Sequence, residues 1–341
     1  MSDVSKSTHR VEVLQVQSVE PHPNADRLEI IPVWGYRCVV RKGEFSVGDM
    51  IAYVPPDSVV PDKEEYAFMW SGKNPSEKNR RIRSVRLRGV LSPGLVIPAP
   101  SNTTEGEDVA DLLGITHWDP PPILDGLSQS QSVPGPHTPG SNTKYDLENG
   151  YRYHSIIPAG TLVQISEKLH GSNSRFTFWD GIMYAGLRTW WSAFDENKPN
   201  KQWLMIQKYP GIRKMCEANP GHILFGEVYG MVQSLRYGHT PENRYSFAAF
   251  DIFDEQNFMS IRDKTDCFQD YDIPSVPVIV NNEYSLEEIN RRVDGPSLID
   301  GANHAREGIV VTPFKESYNK EIGRVILKFV SSEFLEKDSL S

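Results

Sequence analysis

Apolar residues recur along this chain in short runs closed by turn residues, and the runs fall into two groups. Residues 10–100 contain "RVEVLQVQSVEPHP", "LEIIPVWGYRCVVRKG", "DMIAYVPPDSVVP" and "SVRLRGVLSPGLVIPAP". Val, Ile and aromatic residues alternate with polar ones there, and Gly and Pro end each run, which predicts short strands in a small β-barrel or sandwich. A second group starts near Tyr151 and ends near Leu335, with strands expected at "TLVQIS", "RFTFW", "HILFGEVYG", "YSFAAFDIF", "EGIVVTP" and "RVILKFV". Helical periodicity is expected near Asn200–Glu217 and over Ser285–Val293, where Ser285 suits an N-cap and glutamates fill the first turn. The fold class is therefore α+β. Its expected domains are 1–119, a linker or exposed loop at 120–149, and 150–341; "PPPILDGLSQSQSVPGPHTPGSNT" offers the middle segment little to bury.

Composition narrows the setting. Three cysteines, Cys38, Cys216 and Cys267, are too few and too scattered for a disulfide framework or a C-x-x-C metal site. No apolar run nears the ~20 residues of a membrane span, and the N-terminus lacks a secretory pattern. A cytoplasmic or nuclear protein without a membrane association is the expectation. Net charge is −9, which argues against a polyanion partner until its distribution is examined. The stretch "KNPSEKNRRIRSVRLR" concentrates Arg81, Arg83, Arg86 and Arg88 with one acid, Glu77, enough for a nucleic-acid face on an acidic protein. The same charges would also suit an edge strand guarded against aggregation.

Polar groups in the second region sit where strands end: Lys168 in "EKLHGSN", Arg188 in "YAGLRTW", Glu227 in "FGEVYG", Glu307 in "REGIVV" and Lys328 in "VILKFV". Together they supply an amine nucleophile, cations for a triphosphate and carboxylates for a metal and a ribose. In that order the motifs resemble those of the covalent nucleotidyltransferases, the superfamily of ATP-dependent ligases and capping enzymes, and the RNA ligases most closely. The resemblance covers roughly residues 145–335.

That resemblance implies chemistry by residue. Lys168 would attack the α-phosphate of ATP and carry AMP, with Lys328 neutralising phosphate charge and Glu307 holding Mg²⁺ or Mn²⁺. Glu167, Gly171, Glu227, Arg188 and Phe250 would bind the nucleotide, Glu227 at the ribose and Phe250 on the adenine face. Asn173 and Arg188 would engage nucleic-acid termini, and His170 would position metal or phosphate. Where the family often has Lys-x-Lys, this chain has Lys328-Phe329-Val330, leaving Arg324 as a substitute phosphate contact. "HPNADRLEI" and "RLRGVLSPGLVI" resemble tRNA-binding OB modules, so the first domain is expected to be an OB barrel for nucleic acid, with Trp34, Tyr36 and Tyr53 as stacking candidates.

Few residues follow Lys328, too few for the OB domain that DNA ligases and capping enzymes place there. An OB module in front instead resembles the nick-sealing RNA ligases. The implied activity is ATP-dependent joining of a 3′-hydroxyl to a 5′-phosphate in a nicked duplex of RNA or RNA/DNA hybrid, with no obligate protein partner. A GTP-using guanylyltransferase and an RNA-binding protein with a degenerate nucleotidyltransferase fold are the alternatives.

Overall fold

The computed structural model describes residues 10–118, 132–143, 145–197 and 199–340. The chain divides into two compact units, Met1–Pro122 with Ser332–Ser341, and Ile123–Ser331.

The first unit is built from short antiparallel strands, as the alternation predicts. Met50–Val54 pairs with Glu12–Gln15 on one side and Leu95–Pro98 on the other. Leu28–Val33 and Tyr36–Arg41 form a hairpin, and Val85–Leu87 and Val90–Ser92 form another. Alternate residues bury Val13, Ala52 and Val54 in one cluster and Ile31, Val33, Cys38 and Val96 in a second. Tyr53 belongs to this core: it is fully buried, packs edge-on to Trp34 and donates its hydroxyl to Pro93 O. It is therefore not a stacking platform. The helix Ser332–Leu340 groups with this unit rather than with the second as expected, and Glu336 pairs with Arg86.

The second unit contains two antiparallel-dominated sheets. In the five-stranded sheet the order runs Glu148–Asn149, Leu327–Val330, Gly308–Pro313, Leu162–Lys168, Val278–Glu283. At the centre of the six-stranded sheet Ser172–Trp179 lies between Ile182–Leu187 and Ile223–Gly230, with Tyr245–Phe253 outermost. Two helices, Lys201–Lys208 and Pro210–Ala218, cover this sheet, packing Trp203, Ile206, Ile212 and Met215 against Phe176, Leu224 and Phe247. Asn200 caps the first and Pro210 opens the second, where its missing N–H costs no hydrogen bond. Leu286–Val293 forms as read, its Ser285 hydroxyl accepting from Glu288 N.

Composition misleads at the expected linker. Residues 119–131 and 144 lie outside the described residues, but 132–149 otherwise pack on the second unit. Ser132–Val133 pairs with Trp191–Ser192, and Glu148–Asn149 runs parallel to Leu327–Lys328. Tyr145 anchors the segment among Phe225, Phe250 and Phe258. One large aromatic buries more than the surrounding Pro, Gly and Ser suggest.

Candidate active site

The "EKLHGSN" stretch crosses from one sheet of the second unit to the other. Leu162–Lys168 ends the first, Leu169-His170-Gly171 makes the crossing, and Ser172–Trp179 begins the second. Gly171 is required because the chains approach closely: a Cβ there would stand 2.2 Å from Val228 O. A cleft opens between the sheets at this crossing, lined by Lys168, Glu167, Asn173, Glu227 and Phe250.

Strand register explains how residues distant in sequence meet there. Lys168 pairs with Gly308, directly after Glu307, and Lys328 pairs with Val310 two positions along the same strand. Alternation then places Lys168, Gly308, Val310 and Lys328 on one face. From the other sheet, Asn173 pairs with Glu227. A register shift between Phe225 and Gly226 leaves Phe250 unpaired between Ala249 and Asp251, and its ring lies 4.6 Å from that of Tyr145 at the base of the cleft.

Charges in the cleft act strongly on one another. Lys168 Nζ lies 2.5 Å from Glu307 Oε1, and His170 Nδ1 lies 3.5 Å from Glu307 Oε2. Burial pushes the Glu307 carboxyl up, but the Lys168 ammonium and the hydrogen bond from His170 outweigh it and hold the group below its ordinary range. Burial and then the charge of Lys168 draw Lys328 below the usual lysine value, against Glu307 and Glu148. Glu227 is raised to about 8, chiefly by burial, which exceeds the opposing pull of Lys168.

Not every expected residue faces the cleft in the expected way. Glu167 is 1% exposed and both its oxygens are engaged, one by the Ser297 hydroxyl and one by Leu298 N, each at 2.6 Å. Its side chain braces the loop before Glu307. Arg188 is exposed and paired with Asp146, although its charge still weighs on Lys328. Val330 pairs with Gly308 and so shares the face of Lys328, placing an apolar side chain where a second lysine would stand. Arg324 does not replace it, because Asp251 and Glu316 hold its guanidinium over the Phe258 ring.

In the first unit Arg81 is paired with Asp57 at 2.6 Å, Arg86 with Glu336, and Arg83 is half-buried, while Arg88 stands exposed at a hairpin tip.

Sequence inspection missed three supports of the site. Tyr237 accepts the His170 backbone N–H at 2.7 Å and itself donates its backbone N–H to His304 Nε2. Lys264, in a helix Ile261–Asp270 that the periodicity did not disclose, is buried against Asp251 at 3.2 Å and lines the cleft. Asp251 is itself wholly buried and also accepts from Tyr145 and Arg324. A lysine on the buried face erases the apolar stripe by which such a helix is recognised. Nothing local in "SLRYGHT" distinguishes Tyr237.

Comparison with known proteins follows this geometry. Residues 161–330 match the RNA ligase family, and residues 10–99 match an OB-fold domain family. Among solved structures, Naegleria gruberi RNA ligase with PPi is 26% identical, with a TM-score of 0.82 over 98% of this chain and 100% of that one. A lysine-to-alanine mutant of that ligase with ATP and Mn is 25% identical, with a TM-score of 0.81 over 96% and 98%. A lysine-to-methionine mutant with AMP and Mn gives 26% and 0.81 over the same shares. No curated protein matches. Among the described residues no helix is long and apolar enough to cross a membrane.

Proposed function

The chain belongs to the RNA ligase family, and from that premise we propose that it is an ATP-dependent enzyme sealing 3′-hydroxyl/5′-phosphate nicks in duplex RNA or RNA/DNA hybrid. The observation that carries this reading is the convergence of Lys168, Glu307 and Lys328 at three neighbouring strands, with Lys168 and Glu227 lining one cleft. In three steps, Lys168 Nζ attacks the α-phosphorus of ATP and expels pyrophosphate. AMP then passes to the 5′-phosphate, freeing the lysine. The 3′-hydroxyl attacks that activated phosphate, the phosphodiester forms and AMP leaves.

Lys168 must attack as the free amine. Glu307 Oε1, 2.5 Å away, is in place to take its proton. Lys328 then lies where charge gathers on the α-phosphate. Glu227 reaches the ribose hydroxyls, and as its carboxyl is raised to about 8 it is largely protonated near neutral pH and can donate as well as accept. Phe250 and Tyr145 offer ring surface to the adenine.

A divalent metal suits the donors present. Asn173 Oδ1 is a buried oxygen without a hydrogen-bond partner, and Glu307 Oε2 is buried with His170 Nδ1 at the long distance of 3.5 Å; hard oxygens are what Mg²⁺ or Mn²⁺ selects. Among the described residues no group of three or more His, Cys, Asp or Glu is arranged to hold a metal, so Glu307 would hold it with retained waters and phosphate oxygens. Such an ion supplies Lewis-acid neutralisation of the phosphates. The first unit would grip the nucleic acid through Arg88 and its neighbours, and no protein partner is needed. Free cysteines, two of them buried, fit a reducing compartment, the cytoplasm or a nucleus.

The test is intact mass after incubation with ATP and Mg²⁺ or Mn²⁺, with pre-bound AMP first stripped by pyrophosphate. A gain of one AMP that is lost in Lys168→Ala and absent with GTP is expected. A gain of GMP would make the chain a guanylyltransferase, and no adduct in folded protein would leave an RNA-binding protein.

A further inference from the structure

We propose that the first unit grips a nucleic-acid sugar-phosphate backbone in the cleft lined by Arg27, Arg41, Lys42 and Arg88, rather than along the whole arginine-rich segment. The inference rests on the ligase reading only for the choice of a nicked duplex as the partner. Of the segment's arginines, Arg81 and Arg86 are held by Asp57 and Glu336, so their charge is already matched. The four cleft cations are all exposed, and none takes part in an ion pair among the described residues. Asp26 is the only acid on the lining.

The backbone assembles this cleft from three separate segments. Leu28 pairs with Arg41, and Lys42 N donates to Arg27 O at 3.0 Å, which sets Arg27 beside Lys42. The turn before Arg27 is fastened to the second hairpin through His22 and Asn24. His22 Nδ1 accepts from Asn24 N, so its Nε2 carries the proton and donates to Leu87 O at 3.1 Å. Asn24 Nδ2 donates to Arg88 O at 3.1 Å. Through these bonds "HPNADR" and "RLRG" form one rim.

Arg88 is conformationally out of place there. It and Gly89 are the two central residues of a hairpin turn, with φ of +47° and +92°. Such turns favour Asn, Asp or Gly at both positions. A long cation kept in a left-handed turn, unpaired and beside three others, points to a ligand that needs its charge. Four cations around one acid suit evenly spaced phosphates, which confer affinity without sequence preference.

Arg88→Asn provides the test, because asparagine fits the turn better while removing the charge. A second variant, Arg27→Ala with Lys42→Ala, removes charge from the other rim. Full-length proteins without ATP are titrated with a fluorescent nicked RNA duplex across about 50 to 200 mM KCl. Melting temperature and AMP-adduct mass are recorded beside each titration. Expected are a melting temperature at or above wild type for Arg88→Asn, an undiminished adduct, and weaker duplex binding. The log–log salt slope should become shallower by about one per cation removed. Arg81→Ala should move the slope less. Unchanged affinity and slope in both cleft variants would overturn the proposal, as would competition by poly-glutamate as effective as that by duplex. Weakened binding in both variants would support the cleft even in a chain that forms no AMP adduct, so failure of the ligase reading is separately visible.

Discussion

Replacing Glu227 with Gln tests how the cleft is built, because this carboxyl gains most from burial. It is raised from the ordinary 4.5 to about 8, and the neighbouring Lys168 only partly opposes the shift. Between those values the folded protein keeps a proton that the unfolded chain has lost. The stabilisation is therefore complete below the unfolded value and is lost as pH rises through the folded one. Each unit is worth about 1.4 kcal/mol, so wild-type protein should lose about 2 to 3 kcal/mol through this group between about pH 5.5 and 7.5. Glu227→Gln keeps the shape and cannot titrate. Urea unfolding of both proteins at matched pH isolates the effect, since every other group titrates in each. The variant should gain on wild type by that amount over the window. Parallel stability profiles would mean that the carboxylate is solvated when folded, and would refute the argument.

Glu307→Gln removes the proton acceptor beside Lys168 and one buried oxygen offered to metal; single-turnover adenylylation should fall by about 10²-fold or more, with circular dichroism unchanged. Asp251→Ala would leave Lys264 and Arg324 without their shared buried partner, and thermal unfolding should show a loss of about 3 to 5 kcal/mol. Since Lys264 lines the cleft, ATP affinity should fall in the same variant.

Apolar runs closed by turn residues were enough to place most strands around the site, because such a run is local, although Ile182–Leu187 and Val278–Glu283 were not read from it. The stretch from Glu167 to Asn173 reads correctly as a strand junction for the same reason, whereas the proposal of Lys168 as nucleophile comes from the resemblance to RNA ligases. The Ser285 cap was equally legible, since capping is settled within four residues.

What the sequence could not determine depends on pairing between distant segments. Nothing near Glu167 foretells that Ser297 and Leu298 will occupy both its oxygens and make it a brace. Arg324 reads as a free cation until Asp251, seventy-three positions away, claims it. Charge counts treat the arginines of residues 81–88 alike, yet Asp57 and Glu336 neutralise two of them and the turn geometry exposes Arg88. Hydrophobic periodicity is written along the chain, whereas desolvation and charge pairing belong to whichever groups the fold brings within a few ångströms. Those energies decide which charges remain available for chemistry.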